Sequence, residues 1–431
     1  MNLPMKGRIM DSRILDALEE LYGEELTLVQ PDLGQLEQAI GTILKSLGVG
    51  LLQRVVDRGR NGYRGSSIPC SCGNAMRFVA HRPRSVHTLW GWITIRRAYY
   101  HCPTCHRSDV PYDQESGLGA GQLSPALAKA CCTLAVDDSF AESAQKIEQL
   151  FGETMADTTV EALVHQVGAV SAQQQEDQRQ QFEATRQTPA GEAQPQRLYV
   201  SVDGTTAHER EGWHEAKVGC IYWEDQQFRH HAYYLGRFCD SQRFGWYLWL
   251  AACRWGLRGA KEVIYLGDGA PWIRREQQQH FQRAVFIIDW YHASEHLWDC
   301  GKILFGEGTM LTQHWVQERL SLLWDGRTRD LLERLKTDRH GHRGKKRKAL
   351  NDLIRYVSTN EEQMRYDVFR EQDYDIGSGS VEGACKHIVG KRLKQSGMIW
   401  TRPGSSATLA LRLTWLNAEW DTFWRNHPMP A

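Results

Sequence analysis

Apolar residues recur along this chain with two periods, and the switches between them mark its organisation. Over residues 10–60, Ile14, Leu15, Leu18, Leu21 and Tyr22, then Leu36, Ile40, Ile43, Leu44 and Leu47, fall at three- and four-residue spacing, the repeat of an amphipathic helix. This pattern predicts a helical packing or dimer-forming segment over residues 1–66 and carries no recognisable chemistry. Two strand-like runs follow, from Met76 to Ala80 and from Trp92 to Tyr100. Helical spacing then returns from Leu123 to Leu134, from Phe140 to Phe151 with Gly152 as a stop, and through Leu163, Val164, Val167 and Val170 after an Asp157 cap. Three short helices over residues 120–173 match a helix-turn-helix-like DNA-binding unit, or equally a plain three-helix packing unit, because the last helix has little Lys or Arg.

Residues 174–196 turn to Gln, Glu, Arg, Pro and Gly and read as a solvated helix tail and linker. Beyond it Leu198, Val200 and Val202 alternate with Tyr199 and Ser201, a strand expected to end at the turn pair Asp203-Gly204. Strands from Glu215 to Trp223 and from His230 to Leu235 come next, then a helix from Phe244 to Trp255. A strand ending in Asp268-Gly269, a helix opened by Pro271 and a strand from Ala284 to Asp289 complete the series. The order β-β-β-α-β-α-β predicts an α/β mixed sheet, three strands antiparallel and the rest added by crossovers. It is the element order of the ribonuclease H-like fold, with one acid on the first strand and another just after the fourth. Residues 290–375 are long helical runs with charged faces, and Thr401 to Phe423 makes a closing helix.

Composition narrows the function classes. The 431 residues suffice for two or three domains, and 41% hydrophobic with 24% charged residues is an ordinary globular balance. Lys plus Arg equals Asp plus Glu, 52 each, so nucleic-acid binding must rest on local basic patches. No uninterrupted apolar run reaches a membrane span of roughly 18 residues, and the first six residues lack a signal-peptide core. A cytoplasmic, nucleoid-associated protein without a membrane partner is therefore expected. Its eleven cysteines are expected as thiols or metal ligands.

Four of those cysteines, Cys70 and Cys72 followed by Cys102 and Cys105, form two close pairs separated by the two strand-like runs. A hairpin that closes its ends would bring them into one tetrahedral structural zinc site within a module over residues 67–115. Cys72 has the following Gly73 of a metal knuckle, whereas Cys105 precedes His106, so His101 or His106 is an alternative ligand.

Two strands that each deliver an aspartate to a sheet edge could place Asp203 and Asp268 around one divalent cation; the alternative is two ordinary strand-to-loop turns, since Asp-Gly is among the commonest turn pairs. Asp289-Trp-Tyr-His292-Ala-Ser-Glu295-His296 has the order of an inverted zinc-protease motif, which leaves a zinc metalloprotease as an alternative function. In Gly377-Ser-Gly-Ser-Val-Glu382-Gly383, a Gly/Ser loop with Ser380 as cap leads into a helix with Glu382 in its first turn. Lys386, Lys391, Arg392, Lys394 and Arg402 follow, and Lys345, Lys346, Arg347 and Lys348 form a second basic run, read as a loop. All are candidate phosphate contacts.

These residues, with Arg96-Arg-Ala-Tyr-Tyr100, Val202-Asp-Gly204, Gly267-Asp-Gly269 and Asp289-x-x-His292, resemble bacterial insertion-sequence transposases of the DDE class, most closely the Kra-type family. The resemblance covers nearly the whole chain. It implies a ribonuclease H-like catalytic domain over residues 197–425 with an all-α insertion at about 297–374. It further implies Asp203, Asp268 and Glu382 as the catalytic carboxylates, with Asp289 and His292 as an accessory motif. Two Mg²⁺ (or Mn²⁺) ions per site would serve cleavage and strand transfer on the element's terminal inverted repeats and target DNA. A homodimer or higher oligomer is implied, since two ends must be cut and joined. A catalytically inactive zinc-ribbon DNA-binding protein is a second alternative.

Overall fold

In the computed structural model, residues 16–17, 20–23, 32–377, 379–395 and 397–426 are described. Ile14, Leu15 and Leu18 of the expected N-terminal helix lie outside them, as does the side chain of Ser380, the expected helix cap. The chain divides into two units, one of residues 1–135, 140–160 and 424–431, the other of residues 136–139 and 161–423.

In the first unit, Asp32 caps the helix Leu33–Arg58 by accepting the Gly34 N–H at 2.9 Å. Val49, Leu52 and Val56 of this helix pack on Val86, Ile93 and Ile95. The other stripe, Leu33, Ile40, Leu44, Leu51 and Val55, is exposed. An 18-residue window here reaches a mean hydropathy of 1.3, so by length and composition the helix could cross a membrane. This differs from the expectation of no membrane span, because Gly, Ser, Gln and Lys interrupt the apolar run without lowering its average much. Strands β1 (Ser67–Pro69), β2 (Ala75–Thr88), β3 (Gly91–His101) and β4 (Ser108–Asp109) form an antiparallel sheet in that order. Buried Glu153 holds Lys45 at 2.5 Å and His87 at 2.6 Å, and Trp92 stacks on the His87 ring.

The helices Pro125–Ala135 and Phe140–Phe151 agree with the periodicity, but the third, Asp157–Thr185, is longer than expected. Its 29 residues run through the first half of the expected linker, because Phe182 is buried against Trp246 and Trp249, with ring centroids 5.5 and 5.3 Å away. The third of the helices expected as short thus has 29 residues, most of them in the second unit.

The second unit is built on a five-stranded sheet: β5 (Arg197–Glu209), β6 (Gly212–Glu224), β7 (His230–Arg237), β8 (Glu262–Gly267) and β9 (Val285–Ile288). The spatial order is β7-β6-β5-β8-β9, with β5, β6 and β7 antiparallel and β8 and β9 parallel to β5. Central β5 is covered on both faces, so Leu198 to Val202 are all buried. The helix Ser241–Arg254 links β7 to β8, and Pro271–His280 links β8 to β9. The predicted element order is thus observed.

One prediction here is corrected: β5 does not end at Asp203-Gly204. Asp203 pairs with Val218 and Gly204 with Lys217, and the ladder continues to Glu209 opposite Gly212. Asp-Gly is a common turn pair, but the ladder supplies backbone partners here and overrides that preference. After β9 the chain is helical: Trp290–Phe305, Met310–Trp324, Thr328–His340, Gly344–Thr359 and Tyr366–Glu371. Lys345 to Lys348, expected in a loop, are exposed in the opening turns of the fourth of these helices. The expected single closing helix is two, Arg402–Leu416 and Trp420–Asn426, broken where Ala418 takes a φ of +56°.

Candidate functional site

Backbone pairing in the second unit brings two of the predicted acids together. Val202 is the register partner of Gly267 in the last pair of the parallel β5–β8 ladder, so Asp203 and Asp268 each follow that pair directly. The two acids are held differently. Asp203 Oδ1 accepts the Gly204 N–H at 2.7 Å, and its Oδ2 accepts from the Cys385 thiol at 3.3 Å. Asp268 turns back on its own loop, Oδ1 accepting the Ala270 N–H at 2.7 Å. Gly269 sits at a φ of +84°, and an added Cβ would lie 2.7 Å from Ile288 Cδ1, so the loop requires glycine.

Asp289 closes the far side of this edge. Its N–H donates to Gly267 O at 2.9 Å, and buried Asp289 Oδ1 caps the next helix by accepting the His292 N–H at 2.6 Å. This cap fixes the turn on which His292 stands, with Nε2 3.8 Å from Asp268 Oδ2. Burial, reinforced by the Asp268 charge, holds the Asp203 carboxyl above the usual carboxylate range, against the pull of the Gly204 N–H, the Cys385 thiol and His292. Among the described residues, neither Asp203 nor Asp268 has a Lys or Arg ion-pair partner. Two neighbouring carboxylates without a Lys or Arg partner are a donor set that suits a hard divalent cation.

Glu382 lies in the helix Gly379–Ala384, which passes into a π-helical segment, Cys385–Gly390. Its carboxylate is half-exposed and accepts from Lys386 Nζ at 2.7 Å. One helical turn beyond Glu382, Cys385 is the residue that reaches Asp203. The three carboxylates are not among the sets of ligand atoms lying within 4.8 Å of one another. The segment that follows Glu382 is thus tied to Asp203 through Cys385, but the Glu382 carboxylate faces Lys386 and is not gathered with the two aspartates.

The expected phosphate-binding cations divide. Lys386 is exposed, Lys391 pairs with Asp137 at 3.1 Å, Lys394 reaches Thr205 Oγ1 at 2.5 Å, and Arg402 is half-exposed. Arg392 is a correction: it is fully buried, with its guanidinium over the Trp400 ring, and presents no surface to a phosphate. Lysines and arginines in a run look alike in sequence, and only the fold shows which one faces inward.

His296 stands 6.0 Å from His292, ring to ring, and packs on Tyr356 at 3.9 Å. Burial, with the His292 charge, lowers its basicity. This pair is not among the three-ligand clusters of the described residues, as a protease zinc site would be.

In the first unit the four thiols of Cys70, Cys72, Cys102 and Cys105 do cluster, with all ligand atoms within 4.8 Å. The separations Cys70–Cys72, Cys70–Cys105 and Cys72–Cys102 are 3.4, 3.5 and 3.7 Å. Those distances approach the roughly 3.8 Å edge of a tetrahedron with Zn–S bonds of about 2.3 Å. Backbone and side-chain hydrogen bonds from Asn74 pull the Cys72 thiol down to about 6, toward the thiolate a metal needs. Gly73 at a φ of +86° and His106 at +59° close matching turns, each N–H returning to a cysteine carbonyl at 3.0 Å. His106 thus takes the backbone conformation of a knuckle glycine, and neither it nor His101 belongs to the cluster. These four cysteines could hold a structural zinc ion.

The model of one family, described as an uncharacterised protein family (UPF0236), matches residues 74–420. The chain belongs to UPF0236. The match takes in both aspartates, Asp289, His292, Glu382 and the second cysteine pair. Among curated proteins, none matches the chain.

Proposed function

We propose that this member of UPF0236 is a DDE transposase, a metal-dependent nuclease and strand transferase acting on the DNA ends of an insertion sequence. The observation that carries the reading is the placing of Asp203 and Asp268 directly after the last register pair of the parallel β5–β8 ladder, with the segment after Glu382 tied to Asp203 through Cys385. The sheet order and strand directions also support a ribonuclease H-like catalytic domain with an all-α insertion.

Asp203 and Asp268 would hold cations at the sheet edge, and Glu382 would complete the ligand set by exchanging its Lys386 contact for metal. Two Mg²⁺ ions bound there would activate the attacking hydroxyl, water and then the element's 3′-OH, and stabilise the leaving 3′ oxygen. Displacement is in line, so no covalent protein intermediate is required, and no serine or cysteine nucleophile is assigned. His292, beside Asp268, would orient that carboxylate. Lys386, freed from Glu382, and Lys394 would contact phosphate oxygens without reading sequence.

The test is cleavage of DNA carrying the element's own ends, with Mg²⁺ as the sole metal. Asp203→Asn, Asp268→Asn and Glu382→Gln are each expected to abolish nicking and strand transfer while DNA binding persists. Nicking retained at the wild-type rate in any of them removes that residue from the triad. A zinc protease would instead lose activity on His292→Ala and keep it on Glu382→Gln.

A further inference from the structure

We propose that the tip of the β5–β6 hairpin is a second metal site, in which Glu209, Glu211 and His214 hold one borderline divalent cation such as Zn²⁺. The three residues fall within Glu209-Arg-Glu-Gly-Trp-His214, and their ligand atoms all lie within 4.8 Å of one another. Glu209 is fully buried. Its Oε1 accepts from Ser405 Oγ at 2.6 Å, but its Oε2 has no hydrogen-bond partner. His214 Nε2, 3.9 Å from that oxygen, is also buried without a hydrogen-bond partner. Two polar atoms without hydrogen bonds, facing each other beside one half-exposed arginine, are costly unless something lies between them. A cation accepting both lone pairs, with exposed Glu211 as third ligand, would satisfy them.

The donor set selects the ion. One imidazole with two carboxylates suits Zn²⁺ or Mn²⁺ better than Ca²⁺, which takes oxygen ligands only, and contains no thiolate. The site is separate from the paired aspartates, since six residues along a strand place Glu209 about 20 Å from Asp203. The hairpin tip is already bound to the chain ahead of the helix Arg402–Leu416. Arg210 N–H donates to Trp400 O at 2.9 Å, and Trp400 N–H to His208 O at 3.0 Å. A metal here would clip the tip to that helix through Glu209 and Ser405.

Arg402 is the group such a cation must displace. Its Nη1 stands 3.7 Å from Glu209 Oε2 and donates to His214 Nδ1 at 3.1 Å. That bond leaves the imidazole proton on Nε2, the wrong tautomer for a ligand at Nε2. When half-exposed Arg402 swings outward, Nδ1 can carry the proton and Nε2 can bind metal.

The experiment is binding of Zn²⁺ and of Co²⁺ to the full chain, by equilibrium dialysis with metal analysis and by cobalt absorption. With the paired-aspartate site removed by Asp203→Asn and Asp268→Asn, the chain is expected to bind one ion that gives no thiolate-to-cobalt charge-transfer band, in addition to any bound by the four cysteines, and the further variants are made in that background. His214→Ala, at a half-buried position, and Glu211→Gln, at an exposed one, should each weaken that ion at least tenfold and leave the thiolate band unchanged. Arg402→Met should tighten it several-fold by removing the competing charge. Absence of the sulfur-free ion, or its indifference to both ligand variants, overturns the proposal. So does an Arg402→Met protein that is less stable and gains no metal affinity, because Arg402 would then be the resident counter-ion of Glu209.

Discussion

The Cys385 thiol donates to Asp203 Oδ2 across 3.3 Å, joining the helix that carries Glu382 to the strand that carries the first aspartate. Burial, with the Asp203 charge beside it, pushes this thiol far above the ordinary cysteine range, so it remains protonated and acts as a donor. A π-helical segment begins at Cys385, the residue that makes this contact.

Cys385→Ala removes that donor without adding bulk. It is expected to lower Mg²⁺-dependent cleavage about fivefold, the worth of one hydrogen bond of about 1 kcal/mol, with Cys385→Ser restoring most of the rate. Single-turnover cleavage at saturating Mg²⁺ measures it. Equal rates for all three proteins would assign Cys385 to packing alone.

Arg412 is buried in the closing helix and binds the same region from behind. Its Nε donates to His387 O at 2.9 Å, within the π-helical segment, and Nη1 donates to Val136 O at 2.6 Å and Asp137 Oδ1 at 2.5 Å. Arg412→Leu should cost roughly 3 kcal/mol in urea unfolding, because these acceptors lose a charged donor in the interior. Lysine should not rescue it, since one ammonium cannot span the three acceptors.

Glu276 is buried in the helix Pro271–His280, 3.5 Å from His280, and burial raises its carboxyl from 4.5 to about 7. A raised folded value means that the native state holds the proton more tightly than the unfolded chain. The associated stability is complete below about 4.5 and is lost as pH climbs to about 7. Glu276→Gln should therefore stabilise the protein at pH 8 by up to about 3 kcal/mol and change little at pH 4. Thermal unfolding at the two values checks it, and a gain of equal size at both would refute the assignment.

The four-cysteine cluster gives a prediction confined to the first unit. Chelation, or Cys102→Ser at the fully buried member, should loosen β1–β4 and expose that segment to protease, because metal binding supplies folding energy to a small sheet. Mass mapping of the first cuts measures this, and cuts spread equally over the β5–β9 sheet would contradict it.

Alternation and turn residues were enough to read the order of β5 to β9 and both aspartates from sequence, because short strands between Gly, Pro and Asp have few alternative readings. What escaped depended on contacts distant in sequence. The Asp203-Gly204 pair predicts an early end to β5 because the β6 partner that continues the ladder is distant in sequence. The end of the Asp157–Thr185 helix depended on Phe182 finding Trp246 and Trp249. Arg392 was grouped with its exposed neighbours, although its guanidinium lies over Trp400. Cys385 and Glu209 carried no signal of their own, since a lone thiol and a lone glutamate gain meaning only from what the fold sets against them.

The central claim is that Glu382 leaves Lys386 and joins Asp203 and Asp268 around divalent cations. A crystal structure with Mn²⁺ and DNA of the element's end tests it most directly. The account predicts oxygens of all three carboxylates at about 2.1–2.2 Å from bound metal, with Lys386 turned to phosphate. Metal held by the aspartates alone, with Glu382 still on Lys386, would contradict it.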